Sequence, residues 1–158
     1  MNYRIKTADI QDKPLIYYML QNYLRDLTEF ELIPLNESGE YEYQYLKYYW
    51  TESTRFPYLF YCGEDVAGFA LIRREEQFFS MAEFTILPNF RRKGLGTLYA
   101  GDVIHKHPWK WHIEYNIKNT AGKNFWNKLI LDMVGTCFQK GQGEEENREF
   151  LEFVIGEK

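Results

Sequence analysis

The sequence predicts a single α/β domain over residues 1–158, built on a central sheet. Three observations predict it. Strand-like and helix-like stretches alternate along the chain. Three strand patterns follow one another between residues 58 and 87 across short connections, the mark of an antiparallel meander. Residues 78–104 then read as strand, basic glycine-bearing turn and helix. With 158 residues, 45% of them hydrophobic and 18% aromatic, the chain can bury one sizeable core.

Taken in order, residues 3–7 alternate as an opening strand. Residues 7–9 can start a helix whose apolar face is Leu15, Ile16, Met19, Leu20, Tyr23 and Leu24. Pro34 and Gly39 break residues 26–39 into a loop. A second helix is expected over 42–51, packed by Tyr45, Leu46, Tyr49 and Trp50, with Tyr41, Tyr43 and Tyr48 left over. Strands follow at 58–62 and 66–72 around a tight turn at 63–65, then at 78–87, where Pro88-Asn89 stops the run. Leu98, Ala100, Val103 and Ile104 give the next helix its apolar spacing, and Pro108 ends it. Residues 109–115 form a fifth strand, and 119–130 a helix capped by Asn119. Final strands are expected at 133–138 and 150–155, joined by an acidic, glycine-bearing loop at 141–146.

Composition narrows the function. A net charge of −4 argues against general nucleic-acid binding. No apolar run approaches the ~20 residues of a membrane span, and residues 1–20 lack a signal segment. Cys62 and Cys137 give no disulfide framework and read as small buried apolar residues, so a cytoplasmic location is expected. His105, His107 and His112 lack acids or cysteines at ligand spacing; they read as histidines near a helix end and turn, and no metal is expected. Charge is uneven. Residues 26–52 are acidic and should attract a cation; residues 91–128 are basic and should attract an anion.

The basic turn is Arg91-Arg92-Lys93-Gly94-Leu95-Gly96-Thr97. Its glycines let a ligand approach the backbone, and the first turn of a helix leaves amide donors free. Together with the helix dipole this makes an anion site suited to phosphate. Lys93 precedes both glycines, so a P-loop does not fit; Tyr99 occupies the third glycine position of a dinucleotide fingerprint.

Arg91-x-x-Gly94-x-Gly96, preceded by Ile86-x-Pro88-x-Phe90, resembles the pyrophosphate-binding signature of the GCN5-related N-acetyltransferase (GNAT) family. Asn119, followed by Gly122, Phe125 and Trp126, resembles the family's second landmark, with Gly122 in place of the usual alanine. The resemblance implies a mixed, mostly antiparallel sheet with helices on both faces, acetyl-coenzyme A as acetyl donor, and no metal. It implies that residues 91–97 hold the pyrophosphate and that Asn119 contacts the pantetheine or phosphate region. It also implies that the strand at 78–87 splays at a bulge, freeing main-chain donors at Thr85, Ile86 and Leu87. The acceptor lobe would be residues 30–50, whose acids and tyrosines suit a small amine. A protein or peptide acceptor, and a non-catalytic acetyl-CoA-sensing domain, remain alternatives, and a homodimer stays open.

The implied reaction sets its own needs. An alkylammonium with a pKa near ~10.4 must lose a proton before it attacks a thioester. A general base aids that step, and donors must meet the oxygen that becomes negative. Glu83 is the candidate base, a carboxylate on an otherwise apolar strand, although many relatives carry their acid at the position of Ser80. Trp126 replaces the tyrosine that protonates the leaving thiolate in many relatives; Tyr99 and Tyr115 are possible substitutes.

Overall fold

The computed structural model describes residues 2–156 of the chain. Methionine 1 and residues 157 and 158 of the expected 1–158 domain lie outside the described residues. Strands β1 (Tyr3–Thr7), β2 (Arg55–Cys62), β3 (Asp65–Arg74), β4 (Phe79–Ile86), β5 (Lys110–Asn116), β6 (Phe138–Gln142) and β7 (Arg148–Val154) form one sheet. Its spatial order is β1-β2-β3-β4-β5-β7-β6. Every neighbouring pair is antiparallel except β4 and β5, which are parallel.

Helix α1 (Lys13–Leu27) covers one face; α2 (Leu95–His105) and α3 (Thr120–Val134) cover the other. The sequence dictates both layers, because β2 and β3 carry apolar side chains at successive positions. Leu59, Phe69 and Leu71 pack toward Ile16, Met19 and Leu20 of α1. Phe60, Ala70 and Ile72 pack toward Leu95, Tyr99, Val103 and Ile130. Alternate residues of a strand face opposite sides, so such strands need a helix on each.

Four expected element boundaries are corrected. The helix expected over 42–51 shrinks to a 3₁₀ turn at Leu46–Trp50; Leu46 and Tyr49 are buried, but Tyr45 is exposed. Tertiary bonds compete there: Gln21 on α1 donates to the Tyr41 carbonyl at 2.8 Å and accepts from its amide at 2.9 Å, holding this segment extended. The strand expected at 133–138 is wrong at its start, because α3 runs on through Val134 and ends at Gly135, whose φ is +64°. β6 begins only at Phe138 and takes in Gly141 and Gln142, which were expected in the loop. β7 starts two residues before the expected 150–155 strand. Asp9, expected to start a helix, caps a 3₁₀ turn at Ile10–Asp12 through a capping box, and α1 follows.

Candidate active site

β4 and β5 touch at only two residue pairs, Phe79 with Trp111 and Ser80 with His112. Beyond them the two strands separate. On its other edge β4 skips a residue against β3: Leu71 opposes Glu83 while Ile72 opposes Met81, so Ala82 bulges. A bulge bends its strand and adds local twist. The fork that results opens a cleft of about 1480 Å³, floored by β4 and β5 and reaching from Arg91 and Asn119 at one end to Glu31 and Glu145 at the other.

The β4 amides sort by the alternation of an antiparallel ladder. Leu87 donates to the Ala67 carbonyl of β3 at 2.7 Å, so of the three expected donors this one is occupied by protein. Thr85 pairs with Phe69 two residues away in the same register, and its amide points the same way. The amides of Phe84 and Ile86 therefore point into the fork. Phe84 was not foreseen as a donor, because the parity is set by where the bulge falls. The Ile86 carbonyl, on the same edge, accepts from Arg91 Nε at 2.7 Å. That bond ties the basic loop to the strand end, so Arg91 braces the loop as well as charging it.

The loop itself is shaped for an anion. Arg91 has φ −77°, Arg92 +62° and Gly94 +76°. Alternation of this kind turns successive amides inward as a nest. Arg91 N–H donates to Pro88 O at 3.3 Å, and Leu98 N–H to Gly94 O at 3.4 Å. Among the described residues, the six amides from Arg92 to Thr97 meet no protein acceptor. Gly94 is required by its φ, since a Cβ there would meet nothing. Gly96 is required by closeness: a Cβ would stand 3.2 Å from the Phe125 ring, so its absence lets α2 seat against α3. Asn119 caps α3 by accepting from the Gly122 amide at 3.0 Å. A Cβ on Gly122 would fall 2.8 Å from Asn119 Nδ2, which explains the departure from alanine here. With its oxygen committed, Asn119 offers Nδ2 at the cleft wall.

Glu83 lies midway along the fork, on the face turned to α1. Tyr43 Oη donates to its Oε2 at 3.0 Å. Burial raises the carboxyl to about 7, against the opposing pull of the Tyr43 hydrogen bond and of the Tyr23 hydroxyl beside it. Ser80 lines the same cleft nearer the closed end of the fork. On β5, His112 is stacked between Phe78 and Phe150, each at 4.7 Å. Its Nδ1 lies 2.7 Å from Glu152 and its Nε2 3.5 Å from Glu114, and these carboxylates raise its pKa against the cost of burial. His112 is thus a strand residue in the cleft, contrary to the expected helix-end setting. His107 differs again: it is buried beside Phe56 and Phe79, bonded to the Tyr58 hydroxyl at 2.7 Å, and lowered to about 4 by desolvation. His105 and His107 both sit at the end of α2 as expected: His105 Nδ1 is 2.9 Å from the Gly101 carbonyl, and the His107 amide donates to the Ile104 carbonyl at 3.1 Å. Among the described residues, no group of three or more histidines, cysteines or acids is arranged to hold a metal. Cys137 is exposed rather than buried, and Cys62 is half-buried.

Trp126 is buried, packed edge-on against Phe84 at 5.2 Å and Phe125 at 4.8 Å. Neither tyrosine substitute is well placed to give up a proton in the cleft. Tyr99 points into the core, away from the cleft, with its hydroxyl on the Tyr61 carbonyl. Tyr115 reaches the cleft, but its hydroxyl donates to Glu149 and accepts from Asn127 at 2.9 Å. Charge is also placed less simply than the sequence suggests. Of the basic residues in 91–128, only Arg91 lines the cleft, while Lys110, Lys123 and Lys128 pair with Glu152, Glu149 and Asp132. Nine carboxylates line the cleft against three arginines, so its wide end favours a cation.

No curated protein sequence matches the chain. Among solved structures, an acetyltransferase from Thermus thermophilus superposes with a TM-score of 0.69 at 14% identity, covering 98% of each chain. The ribosomal-protein-S18-alanine N-acetyltransferase of Escherichia coli matches with a TM-score of 0.64 at 13% identity, over 99% of this chain and 96% of the other. The PaiA N-acetyltransferase of Thermoplasma acidophilum, crystallised with coenzyme A, gives 0.64 at 13% identity, over 98% and 100%. At such identities the likeness speaks for the fold. The model of the acetyltransferase (GNAT) family matches residues 18–128 in sequence, from within α1 to within α3 and across the whole fork, and the chain therefore belongs to that family.

Proposed function

We propose that the protein transfers an acetyl group from acetyl-coenzyme A to the amine of a small molecule, directly, with both substrates bound. The observation that carries this reading is the run of six unpaired amides from Arg92 to Thr97 at the open end of the fork. A diphosphate in that nest would accept charge-assisted hydrogen bonds, each contributing roughly 1.5–3 kcal/mol. Arg91, Arg92 and Lys93 add charge, and Asn119 Nδ2 is within the same wall. Ile86 and Phe84 then offer the main-chain donors for the pantetheine amide and thioester oxygen; Leu87, already bonded to Ala67, does not.

Glu83 takes the proton. With its pKa near 7 it is about half ionised at neutral pH, the condition under which a base is both available and strong enough. Amine acceptors are drawn by the acidic wide end and meet Tyr23 beside Glu83, whose carboxylate is held by Tyr43. Trp126 cannot donate a useful proton, and the leaving thiol, with an ordinary pKa near ~8.5, needs little help. A cytoplasmic location belongs to the same proposal and rests on Cys62 and Cys137, both free thiols. Among the described residues, no helix is long and apolar enough to cross a membrane.

The length of the acidic cleft favours a second reading, in which the acceptor is the N-terminus of a peptide. The test is thiol release from acetyl-CoA with a panel of alkylamines, diamines, amino-acid amides and short peptides. Turnover with diamines or alkylamines supports the first reading, and turnover with peptides alone supports the second. Binding without turnover across the panel would leave a cofactor-sensing domain.

A further inference from the structure

We propose that Tyr43 is the positioning residue for the base, fixing one oxygen of Glu83 so that the other faces the acceptor amine. This rests on reading Glu83 as the base. The geometry begins with the 3.0 Å bond from Tyr43 Oη to Glu83 Oε2. Among the described residues it is the one donor at hydrogen-bond distance from that carboxylate, with Tyr23 beside it. A carboxylate on a strand edge can rotate about its last bond; a donor fixed on one oxygen removes that freedom and presents the second oxygen to the cleft.

Tyr43 does not come from the sheet. It stands in the extended segment before the 3₁₀ turn, forty residues from Glu83 in sequence. That segment is anchored at both ends. Gln21 makes two bonds to the Tyr41 backbone, and Glu40 accepts from Tyr17 Oη at 2.6 Å, so α1 holds the near end. Arg55 holds the far end. Its side chain is buried, and its guanidinium lies 5.3–5.7 Å from the rings of Tyr45, Tyr48 and Tyr49. Between them, Tyr49 Oη and Arg55 Nε are buried without a hydrogen-bond partner. An unpaired buried hydroxyl is costly. Burial, then Glu83 and Tyr49, raise the Tyr43 hydroxyl, which therefore stays protonated and remains a donor. The acceptor lobe and the base then form one unit: a substrate that displaces the lobe also releases the clamp on Glu83.

The readout is the titration of the Glu83 carboxyl, followed by carbon-13 NMR of the full chain with its signal assigned by loss in Glu83→Gln. Removing a donor to the charged form should raise the midpoint in Tyr43→Phe by about one pH unit or more. Replacing Tyr43 with 3-fluorotyrosine, a stronger donor of the same shape, should move it the other way, and this variant answers the question if Tyr43→Phe does not fold. The acid limb of thiol release, measured with the best amine of the panel above, should follow both shifts. A Glu83 midpoint that neither variant moves, or a midpoint that moves while the limb stays, would overturn the inference and make Tyr43 a structural clamp. If instead Glu83→Gln keeps the acid limb, it is the assignment of the base that fails, and the midpoint shifts still report on the clamp itself.

Discussion

At the scale of single residues, two buried groups titrate in opposite senses and set the pH behaviour. Glu83 is raised from an ordinary value of 4.5 to about 7, so its charged form is disfavoured in the fold. That penalty is absent at pH 4.5, grows as pH rises, and is complete above pH 7. Replacing it by glutamine should stabilise the protein at pH 8 by up to about 3 kcal/mol in denaturant melts, while kcat falls by about 10²- to 10⁴-fold, the ordinary worth of a general base. In the unmutated protein, kcat/KM should rise with pH through a limb near 7. His107 has the opposite sign. Its folded pKa of about 4 lies below the ordinary 6.5, so the stability it contributes is present above pH 6.5 and is lost as pH falls toward 4. The two slopes offset each other in the unmutated chain. Melts at pH 7 and pH 4 should therefore show a steeper acid loss in Glu83→Gln than in the parent. In His107→Phe, which keeps an aromatic ring against Phe56 and Phe79, the acid loss should be shallower.

At the scale of elements, the fork and its loop explain what was legible beforehand. The segment from β4 through α2 is written in local signals: a β-branched and aromatic run, a proline stop, two glycines, then helical spacing. Gly94 and Gly96 act for different reasons, which separates their variants. Gly94→Ala forces a side chain into φ +76° and should lose about 1–2 kcal/mol of stability while weakening acetyl-CoA binding about fivefold or more, measured by calorimetry. Gly96→Ala meets only the edge of the Phe125 ring, which can shift, so its loss should be smaller. The illegible parts depend on distant partners. Residues 42–45 carry helix-like spacing, but Gln21 and Glu83 draw the backbone of Tyr41 and the hydroxyl of Tyr43 away from a helix. Met133 and Val134 look like strand, yet they extend a helix already anchored by Trp126, Leu129 and Ile130 in the core. Glu83 stands out in the sequence as a lone acid on an apolar strand; its tyrosine partner, forty positions away, leaves no such mark. The ion-pair lattice of His112, Glu114, Glu152 and Arg148 was equally hidden, since it joins β5 to β7 across the sheet.

At the scale of the whole molecule, one sheet is split between β4 and β5; in the proposed function a thioester lies in that gap, with the grip at one end and the acceptor at the other. A ligand that binds only the folded state stabilises it, by about 2.7 kcal/mol at a hundredfold excess over Kd, so acetyl-CoA should raise Tm and an amine alone should raise it less. In the proposed function, main-chain amides of the basic turn hold the diphosphate. The most direct measurement is a proton–nitrogen NMR titration of the full chain with acetyl-CoA. The amides of Arg92 to Thr97 should move most, and the Leu87 amide, already bonded to Ala67 at 2.7 Å, should move little. Saturable binding that leaves those six amides where they were, or no binding at millimolar acetyl-CoA, would contradict it.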